Sequence, residues 1–275
     1  MTKREKLHSL FTTYLRCVII GCGVHAGNKA SGINTAMYYG PSIMIAANIK
    51  IGNFSGRRSG LIMSIPFFVT NFVAVMISFL VVDKFGRRYS MLRALPVMAA
   101  SMVVVAIGMF TLPKPSTDGS LDQGNSASGY MAIIGLIVFL IFYGIGMGPI
   151  VWTVASEIFP LHIAGTANSL AITAAWLTNF VISEVFPFML KDKLKGWAFI
   201  MLAGFCILTW LLVYFMLPET ANKSIEDNLK AILGSGFKHA EIKSASNEAT
   251  RPDEAEPKKV TVAQTDSKTE KAVSV

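Results

Sequence analysis

The sequence predicts an all-α membrane protein of six spans, followed by a short amphipathic helix and a polar tail. Three observations carry this. Apolar residues make up 52% of the 275 and gather into runs of about 20, the length that crosses a hydrocarbon core. Basic residues cluster in short connections, as at Lys84, Arg87, Arg88 and Arg93. Residues 143 to 168 form an apolar segment interrupted by glycines and a proline that runs into Glu157, and a helix that breaks in lipid usually lines a pathway.

The expected spans are 15–46, 60–82, 92–112, 129–156, 167–189 and 196–217. The first is too long for a simple crossing, so it must tilt, break or extend past the bilayer. It places Ser31, Asn34 and Tyr38 at i, i+3 and i+7, with Asn28, Gly32 and Tyr39 on a neighbouring stripe. These amides and hydroxyls suit an uncharged polyol, which needs groups to replace its water. Polar glue between helices is the other reading of such a stripe. The second span carries Asn71 at its middle. Asp83-Lys84-Phe85-Gly86-Arg87-Arg88 follows it, a tight glycine turn whose charges can tie helix ends together. Pro113 to Ser128 is rich in Pro, Gly, Ser and Asp and reads as a flexible external connection. The fourth span carries Trp152, an indole with an apolar face and one N–H donor. The fifth carries Trp176 one turn before Asn179, and Trp197 and Trp210 are expected at interface or packing positions.

Beyond the last span, Lys223 to Leu233 places Ile225, Leu229, Ile232 and Leu233 on one helical face, with Ser224 three residues before Asp227 as a capping box. Such a helix either lies on the membrane or docks under the bundle. The expected organisation is therefore a cytoplasmic segment 1–14, a six-helix bundle 15–217, an amphipathic helix 218–234 and a disordered cytoplasmic tail 235–275.

The net charge of +8 does not point to nucleic acid, because the tail from Lys238 onward holds 7 basic and 7 acidic residues. The excess sits beside the spans, at Lys3, Arg4, Lys6, Arg16 and the 84–93 cluster. By the positive-inside rule both termini are cytoplasmic, with the plasma membrane the expected location. Asn53-Phe54-Ser55 is then a glycosylation acceptor in the first external loop, and Asn222-Lys223-Ser224 a cytoplasmic one that stays unmodified. Cys17, Cys22 and Cys206 lack the spacing of a metal site or disulfide framework and read as packing residues. No cleavable signal peptide is expected, since the first apolar run is too long. No nucleophile, base and orienter occur together, so the chain is expected to be no enzyme and to hold no metal or cofactor.

The stretch from 143 to 168, Gly32-Ile33-Asn34-Thr35-Ala36-Met37-Tyr38-Tyr39, the 83–88 signature, Ser156 to Pro160 with Gly165, and Pro218-Glu219-Thr220 together resemble the sugar porter family of the major facilitator superfamily, the hexose and polyol transporters, and most its inositol branch. The resemblance covers about residues 15 to 225 and matches the carboxy-terminal six-helix half of that fold. It implies a sugar or polyol substrate moved by alternating access. Substrate contacts are implied at Asn28, Lys29, Asn34, Tyr39, Asn71, Trp152 and Asn179, and gating at Asp83, Arg87, Arg88 and Glu157. A separate amino-terminal half or a second copy is implied as partner, besides the bilayer.

The sequence departs from the family in four places. Asn28-Lys29 stands where relatives keep two glutamines, Ala164 where they keep an arginine, Gly144 where they keep an acid, and Ala221-Asn222 where they keep Lys-Gly. Lys29 lies about 21 Å into its span at 1.5 Å per residue, deep enough to need a counter-charge or an anionic ligand. A competing reading from another class is a non-transporting half that binds a partner or senses solute, or a degenerate fragment.

Overall fold

The computed structural model describes residues 11–46, 57–111, 126–191 and 195–234, and every regular element among them is helical. In chain order these are α1 (Leu15–Ala30), α2 (Ile33–Ala46), α3 (Arg57–Phe85), α4 (Arg87–Thr111), α5 (Ser126–Gly146), α6 (Ile150–Ile158), α7 (Leu161–Lys191), α8 (Lys195–Met216) and α9 (Ile225–Leu233). Among the described residues, five stretches are long and apolar enough to cross a membrane: Ser64–Phe85, Arg87–Thr111, Ala127–Ile158, Leu161–Met189 and Gly196–Met216. The sixth expected span is the broken pair α1–α2. Hydropathy placed the starts of the second, third and fifth spans at 60, 92 and 167, whereas α3, α4 and α7 begin at 57, 87 and 161. The apolar run marks only the part at lipid depth, and polar first turns such as Arg87-Arg88 extend the helix beyond it.

The break in the first span has a local cause. Gly32 adopts φ 89°, a conformation that L side chains rarely take, and a methyl group there would sit 2.6 Å from Leu202 Cδ1. The freed backbone stays satisfied, with the Ser31 N–H donating to the Gly27 carbonyl at 2.9 Å and the Ser31 hydroxyl to the Asn28 carbonyl at 2.7 Å. A second interruption separates α5 from α6. The Tyr143 carbonyl accepts from both Met147 and Gly148 N–H groups at 2.9 Å, and Pro149 has no N–H to continue the ladder. Pro66, Pro96 and Pro187 lie inside α3, α4 and α7 without ending them.

Packing is organised around α4, which lies along α5 and α8, while α1 lies along α7 and α3 along α5. Met91, Leu95, Met98, Met102, Leu136 and Leu140 are fully buried between them. The α4–α5 seam is unusually close. A methyl group at Gly108 would sit 2.9 Å from the Ser128 carbonyl oxygen, and one at Gly135 would sit 3.0 Å from the Ser101 carbonyl oxygen, so backbone meets backbone. Cys17 and Cys206 are buried and unpaired within this packing, and Cys22 is partly exposed. By contrast α3 and α7 expose large apolar side chains, including Phe72, Leu80, Leu177 and Phe180, as surfaces for lipid or another protein.

After the last long helix, α9 turns back against α1 and α6. Ser224 caps it, accepting from the Asp227 N–H at 3.1 Å, and Leu229, Ile232 and Leu233 are buried. Asn228 is also fully buried and donates to the Glu157 carbonyl at 3.3 Å. The expected acceptor at Asn53, the first ten residues and the tail beyond Gly234 lie outside the described residues.

Candidate solute-binding face and gate cluster

The break at Gly32 sets the direction of α2, and α2 brings Asn34 to α7. Asn34 Nδ2 donates to Asn179 Oδ1, 145 residues away in sequence. This bond leaves the Asn34 carbonyl oxygen and the Asn179 amide nitrogen available, one acceptor beside one donor. A sugar hydroxyl both donates and accepts, so the pair can complete it. Two indoles are exposed in the same bundle, Trp176 one turn before Asn179 on α7 at 58% and Trp152 on α6 at 51%. An aromatic face left open in this way can meet the C–H face of a ring.

The other expected contacts fall in different surroundings. Asn28 is 5% exposed and lies in the α1–α5 packing, donating to the Tyr143 hydroxyl at 3.2 Å and the Met147 carbonyl at 3.3 Å. What Asn28 holds is the α5–α6 break beside Trp152. Tyr39 is partly buried, its ring 5.2 Å from that of Phe186. On α3, Asn71 keeps a buried Oδ1 without a hydrogen-bond partner, an acceptor whose desolvation costs about 1–3 kcal/mol until something donates to it. Lys29 is partly buried with its ammonium 5.1 Å from the centre of the Trp176 ring. Such a contact returns about 0.5–2 kcal/mol, against roughly 3 kcal/mol for a cation at membrane depth. Among the described residues no carboxylate lies within ion-pair distance of it. One turn earlier, His25 packs edge-on to Trp152 with ring centres 5.2 Å apart.

At the other end of the bundle the charged residues come together. Arg87 lies 3.2 Å from Glu157 and 3.8 Å from Asp83. The first contact is partly buried and is the stronger; Asp83 is 79% exposed, where solvent screening leaves little. Arg88 turns away and donates to the Tyr214 carbonyl at 2.8 Å, tying α4 to α8. Glu157 Oε2 is buried and unpartnered, as is Arg87 Nε.

Glu219, which follows α8 directly, holds the junction together. Its Oε1 accepts from the N–H groups of Arg87 at 2.9 Å, Thr220 at 3.1 Å and Ala221 at 3.1 Å, and Oε2 accepts from Tyr89 at 3.4 Å. This is an anion at the N-terminus of α4, where the helix dipole favours it. Gly86, at φ 88°, lets the chain pass: a methyl group there would sit 2.9 Å from Glu219 Oε2. The sequence marked Pro218-Glu219-Thr220 as a signature but gave Glu219 no role. The signal was a carboxylate immediately after a span, facing a turn with a glycine. Trp176 and Tyr143 were missed as partners because their contacts cross between helices distant in sequence.

A broken first span, a broken fourth and a part-buried amide pair between α2 and α7 fit one half of the major facilitator fold. Residues 1–229 match the model of the family described as sugar (and other) transporter, and the chain belongs to that family. It is 32% identical over 237 residues to myo-inositol transporter 1 of Saccharomyces cerevisiae, covering 85% of this chain and 38% of that protein. It is 31% identical to myo-inositol transporter 2 of Schizosaccharomyces pombe, covering 85% and 40%. Among solved structures, the inward-open xylose transporter XylE from E. coli superimposes with a TM-score of 0.62 at 25% identity, over 83% of this chain and 44% of that one. The chain thus spans less than half the length of these relatives.

Proposed function

We propose that this chain forms the carboxy-terminal half of a sugar or polyol transporter of the myo-inositol class, working by alternating access. The Asn34–Asn179 pair carries this reading, because it offers matched donor and acceptor groups one turn from the exposed indole of Trp176, a ring-stacking surface. Both chain ends lie in the cytoplasm, and the plasma membrane is the site of action. A solute seated on this face needs an opposing wall, which an amino-terminal six-helix half provides. Arg87, Glu157, Asp83 and Arg88 close the cytoplasmic side in one conformation and separate in the other.

The test is counterflow of labelled myo-inositol and glucose in liposomes, with the chain alone and with a co-expressed amino-terminal half from a related transporter. The pair is expected to exchange substrate, the chain alone to exchange none, and Asn179→Ala to lower exchange about tenfold, the loss of one well-placed hydrogen bond. Saturable exchange by the chain alone overturns the division of labour. Absence of exchange by the folded pair overturns the transport reading.

A further inference from the structure

The neutral-polyol reading leaves two groups on α1 unexplained. Lys29 and His25 lie one turn apart on the same side of the helix. The Lys29 ammonium rests over Trp176 without a carboxylate in ion-pair reach among the described residues. His25 is 3% exposed, its Nδ1 is 3.1 Å from the Gly21 carbonyl, and its Nε2 is buried without a hydrogen-bond partner. With Nδ1–H donating to Gly21, Nε2 of the neutral ring is an acceptor that waits for a donor. The site thus holds one uncompensated positive charge and, one turn away, one unsatisfied acceptor, both against the indoles of the proposed ring-stacking surface.

An internal counter-ion does not resolve this. Glu184 is the acidic residue on α7, eight residues past Trp176, or about 12 Å further along the helix at 1.5 Å per residue. A second copy in the same membrane orientation would keep the two charges at those different depths. With an opposing half that brings no carboxylate to this depth, the unmet charge points at the ligand. A phosphate ester carries about −1.5 to −2, more than one lysine balances, whereas a sugar carboxylate carries a single charge and keeps its hydroxyls for neighbouring acceptors.

We propose that the site takes an acidic sugar or polyol, of the uronic or aldonic acid class, with its carboxylate on Lys29 Nζ and an adjacent hydroxyl donating to His25 Nε2. The proposal rests on the solute-binding reading above and narrows its substrate class.

The chain, co-purified in detergent with an amino-terminal half from a related transporter, is assayed by scintillation proximity with labelled D-glucuronate and labelled myo-inositol, with glucose and glucose 6-phosphate as competitors. Glucuronate is expected to bind at least tenfold more tightly than myo-inositol. Lys29→Gln should lose that preference, with glucuronate affinity falling at least tenfold, and Lys29→Arg should keep it. Equal or tighter binding of inositol by the unaltered chain overturns the acidic class while upholding the polyol site, and needs no variant to fold. Unchanged glucuronate affinity in Lys29→Gln overturns the role of the lysine. Glucose 6-phosphate competing better than glucuronate overturns the carboxylate assignment, and binding of none of these sugars overturns both readings.

Discussion

Replacing Glu219 with alanine removes an acceptor from four backbone N–H groups at once. Two of these, Arg87 and Tyr89, belong to the first turn of α4, and two, Thr220 and Ala221, to the turn after α8. Loss of a capping acceptor is worth about 1 kcal/mol and loss of an anion at a helix N-terminus another 0.3–1 kcal/mol. The second turn adds about 0.5 kcal/mol after allowance for water reaching this partly buried site. The sum is about 2 kcal/mol. At roughly 2–4 °C per kcal/mol for chains near this size, the apparent melting temperature in detergent, read at one scan rate, should fall by about 4–8 °C. Glu219→Gln keeps one oxygen acceptor and should lose about half as much. Gly86→Ala meets both the positive φ and the Glu219 carboxylate, so it should cost about 2 kcal/mol alone, and less in the Glu219→Ala background, where the clash is gone. A Glu219→Ala protein melting within about 1 °C of the native chain, or strict additivity of the two changes, would refute the reasoning.

Gly32→Ala should destabilise the bundle by about 2 kcal/mol, measured by thermal unfolding, because it meets both the left-handed conformation and Leu202. A double-mutant cycle on Asn34→Ala and Asn179→Ala should give a coupling of about 0.5–1.5 kcal/mol in denaturant unfolding, the range of hydrogen bonds between membrane helices; zero coupling removes the pair. Arg87→Ala should cost about 1–2 kcal/mol and Asp83→Ala almost nothing, since the Glu157 contact is partly buried and the Asp83 contact exposed. For orientation, an impermeant thiol reagent on intact cells should label a cysteine placed at Ser55 and spare one placed at exposed Lys84; the reverse pattern inverts the topology.

Much of this architecture is written locally. The first span was too long, and the chain breaks inside its polar stripe, at Gly32. The interruption before Trp152 was visible as glycines leading to Pro149, and the α9 cap as Ser224 before Asp227. Long-range partnerships were not legible. Asn28 and Asn34 are six residues apart and chemically identical, yet one is buried against Tyr143 and the other pairs with Asn179. Which face of a membrane helix meets protein is not set by polarity, because lipid and core are equally apolar. Family motifs located Arg87 and Glu157 as a set, but only geometry singled out Glu219, whose contacts are all to backbone groups that carry no sequence identity.

The glycine seam between α4 and α5 has a mechanical consequence. Where backbone rests on backbone, one helix cannot slide past the other by even a fraction of a side chain without collision, and there is no long rotamer at the contact to absorb the shift. These two helices form a keel. A change of shape in the bundle falls most easily where the ladder of backbone bonds is already cut, at Ser31–Gly32 and at Met147–Pro149, next to Asn34 on α2 and Trp152 on α6.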